Sequence, residues 1–291
     1  MTGSGSAIGA FPCLALDVGA TKVDVAVVSP GGRIGERCRV PVTGGGEQLL
    51  DAILAEVRAR AMAQSVRCVG VGCAGPMTYG GELVSPLNIS SWREFPLRRL
   101  LRDGLGLEVF VEGDARALAL AEGAFGAARH DSSYLSMVVS TGVGGGIVLN
   151  GRLLDGDTGN AGHVGHLNVV DGGALCSCGA RGCLEAEASG WAIEARTGRP
   201  PSEADQQTRF RTAELVGRAI GTLSSVLDFR RCYVAGSVAL GYGEEFFATA
   251  TKSARKSAMM FYSHDVTVVP SGLGRDGPLL GAALVGWRAQ P

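Results

Sequence analysis

One pattern occurs twice in this chain and constrains its fold more than any other feature. It is a strand, a turn of small residues, and a second strand. The first copy runs from Cys13 to Val28 and turns at Gly19-Ala20-Thr21. The second has a strand at Tyr134 to Val139, a glycine turn at Thr141 to Gly146 and a strand at Ile147 to Leu149. After the first copy the spacing predicts a strand near Cys38 to Val42, a helix over Gly46 to Ala63 and a buried strand over Val66 to Cys73. A helix at Leu97 to Leu105, a short strand at Val109 to Val111 and a helix at Ala115 to Ala128 follow. After the second copy it predicts helices at Arg211 to Leu227, Glu244 to Met260 and Leu279 to Trp287, with strands at Cys232 to Ala235 and Val266 to Pro270. Repetition of one order predicts two related α/β halves around a central cleft, each presenting a backbone loop to one ligand.

A chain of 291 residues has room for two such halves. Its 46% apolar and 19% charged residues suit a soluble globular protein. Net charge is −1, so no basic field recruits nucleic acid or an anionic membrane. No run approaches the roughly 18 apolar residues of a membrane helix. Met1 to Ala10 is rich in Gly and Ser and looks like a disordered leader, not a signal peptide. Eight cysteines without a secretory signal suggest a reducing cytoplasm. Cys13, Cys68, Cys73 and Cys232 lie in or beside apolar runs and are expected in the core, whereas Cys38 is expected in an exposed strand.

The segment from His166 to Cys183 carries a second signal, H-x9-C-x-C-x4-C. His166, Cys176, Cys178 and Cys183 are the complement of a closed tetrahedral Cys3His site, and three thiolates favour zinc over magnesium or calcium. With no open position, such a metal would be structural. The alternative is incidental cysteines, which a lone pair would suggest but three plus a histidine amid glycines do not.

The two turns also carry chemistry. Free N–H groups flanked by small side chains cradle phosphates. Asp17-Val18-Gly19-Ala20-Thr21-Lys22 adds a carboxylate, a hydroxyl and a cation; Ser140 to Gly146 adds glycines. Neither matches the P-loop or the dinucleotide fingerprint, and either alone could be a tight β-turn.

Taken together, these motifs resemble the ROK family (repressors, uncharacterised reading frames and sugar kinases), with its actin/hexokinase-like, ribonuclease H-like domains. The resemblance runs from about Cys13 to Trp287. It is carried by L-A-L-D-V-G-A-T-K (14–22), G-C-A-G-P (72–76), P-L-N-I-S-S-W (86–92) and G-D-A (113–115). S-T-G-V-G-G-G-I (140–147), A-G-H-V-G-H (161–166), C-S-C-G-A-R-G-C-L-E (176–185) and V-A-G-S-V-A (234–239) complete it. The resemblance implies an ATP- and Mg2+-dependent kinase acting on the 6-hydroxyl of a hexose, glucokinase-like, or of an N-acylhexosamine such as N-acetylmannosamine. It also implies a cytoplasmic homodimer or homotetramer and a structural Zn2+. Residues 11–114 would form the first domain and 115–278 the second, with the zinc-binding segment at 166–183; the last helix, about 279–291, would pack back on the first.

By the same resemblance, Asp114 is the catalytic base, and Asp17 lies near Mg2+ and the γ-phosphate. Gly19, Thr21 and Lys22 form one phosphate loop. Thr141, Gly142, Gly144 and Gly145 form the other, with Gly236 and Ser237 near the adenosine. Asn88, Gly113, Asp114, His163, His166 and Glu185 would line the sugar site, with one ring nitrogen of His166 for zinc and the other for sugar. A helix N-cap is the structural alternative for Asp114, and both roles could hold. Two positions depart from the family pattern. Gly113 stands where an Asn is usual, and His163 where a sugar-binding Glu is common; a similar histidine occurs in some bacterial N-acetylmannosamine kinases. A non-catalytic sugar sensor and an interaction protein without turnover are the competing readings.

Overall fold

Strand β1 (Cys13–Val18) has no exposed residue along its length, as expected of a strand covered on both faces. It pairs antiparallel with β2 (Lys22–Val28), and β2 pairs antiparallel with β3 (Cys38–Pro41). On its other side β1 runs parallel to β4 (Cys68–Cys73), which runs parallel to β5 (Glu108–Gly113). The sheet order is therefore β3-β2-β1-β4-β5. Helix α1 (Gly46–Ala63) connects β3 to β4, and α2 (Leu97–Leu105) precedes β5. Helix α2 stops at Gly106, whose φ of 67° gives the left-handed cap that glycine adopts without strain. Helix α3 (Asp114–Ala124) leaves β5 with no intervening loop. The computed structural model describes residues 9–43, 46–63, 65–87 and 89–288.

The second sheet repeats the first. Strand β6 (Tyr134–Val139) pairs antiparallel with β7 (Val143–Leu149), and β7 with β8 (Arg152–Leu153). β6 runs parallel to β9 (Arg231–Ala235), and β9 to β10 (Thr267–Pro270). Read from β8, the order is β8-β7-β6-β9-β10. Strand for strand, order and direction equal those of the first sheet. The expectation of two related α/β halves thus holds at the level of topology.

Helices α4 (Leu184–Ala188) and α5 (Gly190–Thr197) follow the cysteine segment. Sequence spacing does not announce them, because each is under three turns long. Helix α6 (Gln206–Leu227) begins at Asp205, whose carboxylate accepts the Thr208 N–H at 2.7 Å, an ordinary N-cap. After α7 (Ser237–Gly241), helix α8 (Gly243–Ser257) packs along α6.

Contacts divide the chain into two units. One holds Met1–Arg129, Asp155–Ala161 and Leu273–Pro291; the other holds His130–Leu154 and Gly162–Gly272. The first therefore includes α3, expected in the second domain, because α3 packs on β4 and on the last helix, α9 (Gly277–Arg288). That packing is close. A Cβ at Gly70 of β4 would lie 1.8 Å from the Ala282 carbonyl oxygen, and one at Gly281 would lie 2.5 Å from that of Ala117. Each unit has its own apolar core. Leu14, Leu16, Val69 and Leu101 belong to the first, and Leu135, Met137, Val216 and Phe246 to the second. Cys13, Cys68, Cys73 and Cys232 are buried, and Cys38 in β3 is half-buried. Among the described residues no helix is long and apolar enough to cross a membrane. Most of the leader at 1–10 lies outside the described residues.

Candidate active site and metal centre

In the first unit the candidate catalytic residues stand at the carboxyl ends of the parallel strands, where ligand sites of α/β sheets usually lie. Asp17 is near the end of β1, and its register partner on β4 is Gly72. Asp114 is the first residue of α3, immediately after β5. A Cβ at Gly72 would lie 3.6 Å from the Asp114 Cα and 3.9 Å from Asp17 Oδ1. The missing side chain at 72 therefore leaves the two carboxylates as neighbours across β4. Burial, then the charges of Asp114 and Asp24, push the Asp17 carboxyl up to about 7, against the pull of Lys22. Burial and the same two carboxylates, Asp114 and then Asp17, raise the Cys73 thiol. This is a partly buried acid short of positive charge, the environment in which a carboxylate takes up a cation or a proton.

Lys22 turns to Asp24 at 3.0 Å, within a tight turn closed by the Gly19 N–H donating to the Lys22 carbonyl at 3.0 Å. Asp114 is exposed, and its Oδ1 accepts the Ala115 N–H at 2.7 Å. It is the first helical residue, and Gly113 takes the cap position without a side-chain bond. The N-cap alternative for Asp114 is thus displaced by one residue.

Sequence reasoning missed the residues that brace this junction. Glu112 takes the Arg116 Nε at 2.7 Å and Nη2 at 3.1 Å, and also the Gly113 N–H at 2.8 Å. Arg116 is only 5% exposed and bonds Asp155 Oδ1 and the Ala161 carbonyl, each at 2.8 Å. The Glu-x-x-x-Arg spacing was the available signal.

In the second unit the β6–β7 turn is tied down by several bonds, among them those from the Gly190 and Trp191 N–H groups to the Ser140 and Thr141 carbonyls at 2.7 and 3.2 Å. The Ser140 N–H donates to the Gly142 carbonyl at 2.9 Å. Ser140 Oγ lies 3.0 Å from Ser237 Oγ, just beyond β9. The Val143 N–H donates to Glu185 Oε2 at 3.0 Å. Thr141 is exposed at the turn. Gly236 has φ 102° and no room for a side chain, since a Cβ would meet the Val139 carbonyl oxygen at 2.3 Å. Gly144 and Gly145, expected in the turn, are residues of β7 paired with Val138 and Met137. A Cβ at Gly145 would lie 2.7 Å from the Val164 side chain, so packing by itself asks for a glycine there.

The four metal-ligand candidates converge. The ligand atoms of His166, Cys176, Cys178 and Cys183 all lie within 4.8 Å of one another. Cys176 Sγ is 3.6 Å from His166 Nδ1, and Cys178 Sγ is 3.7 Å from Cys183 Sγ. A tetrahedron with Zn–S of about 2.3 Å has edges of about 3.8 Å, so the donor set fits that ion. All three cysteines are free thiols. A Cys176 N–H to Ala180 carbonyl bond of 2.8 Å closes the loop around the thiols. Because Nδ1 faces the cysteines, Nε2 lies on the other edge of the ring. His163 stacks beside it, ring centres 6.0 Å apart and planes 29° apart.

Residues 13–288 match the ROK family. The chain belongs to that family. Among its relatives, the N-acetylmannosamine kinase of Yersinia pestis is 34% identical, covering 93% of this chain and 97% of the relative. The ROK hexokinase of Thermus thermophilus is 33% identical with a TM-score of 0.83, covering 95% of this chain and 98% of its own. The ROK glucokinase of Streptomyces griseus, solved with glucose and AMPPNP, is 30% identical with a TM-score of 0.82, covering 94% and 99%. The two sheets are thus those of an actin/hexokinase-like ROK protein. Of the residues expected to line a ROK sugar site, Asn88 lies outside the described residues. Gly113, Asp114 and Asp17 belong to the first unit, and His163, His166 and Glu185 to the second.

Proposed function

We propose that this ROK protein is an ATP-dependent kinase that phosphorylates the 6-hydroxyl of an N-acylhexosamine, with N-acetylmannosamine the first candidate. The observation that carries the reading is the carboxylate pair Asp17 and Asp114 flanking side-chain-free Gly72 at the carboxyl ends of β1, β4 and β5. Phosphoryl transfer asks the protein for a base at the acceptor oxygen and for fixed partners of the phosphates. Asp114 is exposed and takes the proton from the sugar hydroxyl as its oxygen attacks the γ-phosphorus and ADP leaves. Gly19, Thr21 and Lys22 supply one set of phosphate contacts, Thr141 and Gly142 the other, and Gly236 and Ser237 the adenosine contacts. Mg2+ bound with the nucleotide neutralises phosphate charge. Asp17, starved of positive charge, is the residue that would stand beside it.

His166, Cys176, Cys178 and Cys183 would hold a structural Zn2+. That fixes the His166 tautomer and leaves Nε2 for a sugar hydroxyl. His163 replaces an acceptor-only carboxylate with an imidazole that can donate. Together with the kinase relatives named for N-acetylmannosamine, this favours an amide-bearing sugar over glucose. A hexokinase acting on glucose is the second reading, favoured by the Streptomyces griseus relative solved with that sugar.

ADP release with N-acetylmannosamine, N-acetylglucosamine, mannose and glucose tests both. The expected result is the highest kcat/KM on N-acetylmannosamine, with turnover falling about 10²–10⁴-fold in Asp114→Asn. A preference for glucose selects the second reading. No turnover on any of the four removes both and leaves the sugar sensor and the interaction protein without turnover.

A further inference from the structure

We propose that Arg116 is a positioning residue for the sugar acceptor, fastening the junction that carries Asp114 to the segment Asp155–Ala161 that leads into His163. The inference rests on the kinase reading above. Four bonds define it. Glu112 grips the guanidinium as a fork, Asp155 takes a second edge, and the Ala161 carbonyl takes the third. A planar cation with five donors can make these four bonds, the fork to Glu112 included; an ammonium with three donors cannot. Glu112 also holds the Gly113 N–H, so the same carboxylate fixes the peptide just before Asp114.

The segment on the other side is held independently. The Ala161 N–H closes it onto the Asp155 carbonyl at 3.1 Å. The Asn160 side chain clasps Met77 beyond β4, accepting its N–H at 3.1 Å and donating to its carbonyl at 2.8 Å. Ala161 is two residues before His163 in the chain. Both clasps hold chain that follows the carboxyl ends of β4 and β5, beside Asp17 near the end of β1 and Asp114 just after β5. Arg116 also crowds position 113. A Cβ on Gly113 would stand 3.2 Å from the Arg116 Cδ, although Gly113 itself has an ordinary φ of −56°. A side chain at 113 would therefore need the Arg116 stem to give by a few tenths of an ångström.

A buried ion pair can be merely structural, and removing one partner is then costly to stability. The two roles separate in kinetics. Arg116→Met keeps an unbranched apolar stem but lacks the guanidinium and loses the four bonds named above. Arg116→Lys keeps the charge and can reach one partner. Asp155→Asn removes one carboxylate at a side chain that is 53% exposed, so it leaves the fold in place. The measurements are kcat, sugar KM, ATP KM and Tm for these variants and the wild type on the best acceptor sugar.

Arg116→Met should lose on the order of 10²-fold in kcat/KM for the sugar, the scale of a base misplaced by about 1 Å. Its ATP KM should stay within about twofold of wild type. Arg116→Lys should recover part of the loss, and Asp155→Asn should shift sugar KM in the same direction by less. A lower Tm with sugar kinetics unchanged makes Arg116 structural and overturns the proposal. If Arg116→Met does not fold, Asp155→Asn decides, and an unchanged sugar KM there overturns it. An active wild type with unaffected variants refutes this inference alone; a wild type that phosphorylates no sugar refutes the kinase reading and this inference with it.

Discussion

The carboxylate of Glu185 holds the backbone N–H of Val143 at 3.0 Å. Glu185 comes two residues after the metal-ligand candidate Cys183, and Val143 opens β7 directly after the exposed turn. A Cβ on the neighbouring Gly142 would lie 2.9 Å from the same carboxylate oxygen. One side chain therefore joins the cysteine segment to the turn assigned to phosphate. A residue expected to touch only sugar has a second task, shaping the loop assigned to the nucleotide.

Glu185→Ala should consequently weaken ATP as well as sugar. It leaves the Val143 N–H without its partner, a loss of about 1–3 kcal/mol, or roughly 5- to 150-fold in affinity if the turn relaxes. Glu185→Gln keeps an acceptor oxygen and should alter sugar KM while ATP affinity stays near wild type. Titration calorimetry with a non-hydrolysable ATP analogue reads the difference. Equal ATP affinity in all three proteins would show that the bond does not shape the turn.

Metal content gives the second test. Purified protein should hold about one zinc per chain, and Cys178→Ser should lose it and melt at a lower temperature, because the binding energy of a structural metal is folding energy. Cys178 is the exposed ligand of the four, so the substitution does not open a core cavity. Stoichiometric zinc in Cys178→Ser, or metal-free protein of normal stability, would contradict the Cys3His assignment.

Gly145→Val separates a strand glycine from a loop glycine. The added side chain would run into Val164 and the Ser136 carbonyl, which lie 2.7 Å and 3.1 Å from a Cβ there. Overpacking of this kind costs about 1–3 kcal/mol, so Tm should fall without nucleotide present. Normal Tm combined with lost ATP binding would return Gly145 to the phosphate loop.

The repeat of strand, turn and strand was legible because each hairpin leaves a local mark, a buried run broken by small residues. The cluster of metal-ligand candidates was legible because all four lie within eighteen residues, His166 to Cys183. What escaped was set by distant partners. Gly144 and Gly145 look like loop glycines in sequence, yet β6 recruits them into β7. Arg116 looks like a surface residue of an amphipathic helix until Asp155, 39 residues on, arrives beside it. Gly113 read as a missing amide, and the structure adds that a Cβ there would press on the Arg116 stem at 3.2 Å, which must give by a few tenths of an ångström to admit Asn.

Asp17 offers a test that needs no substrate. Its folded-state value of about 7 lies above the ordinary aspartate value. The folded protein therefore keeps this proton at pH values where the unfolded chain has already lost it. The stability it contributes is complete below about pH 4 and is lost as pH rises to about 7. Asp17→Asn cannot ionise, so its Tm should decline less across that window and exceed the wild-type Tm at pH 8. Asp114→Asn removes a charge that raises the Asp17 value, and should move the wild-type decline to lower pH. Calorimetric melting of the three proteins from pH 4.5 to 8 supplies the comparison. Parallel curves for wild type and Asp17→Asn would mean that Asp17 ionises as freely folded as unfolded. The strain at Asp17 would then be absent, and with it the reason to assign a cation there.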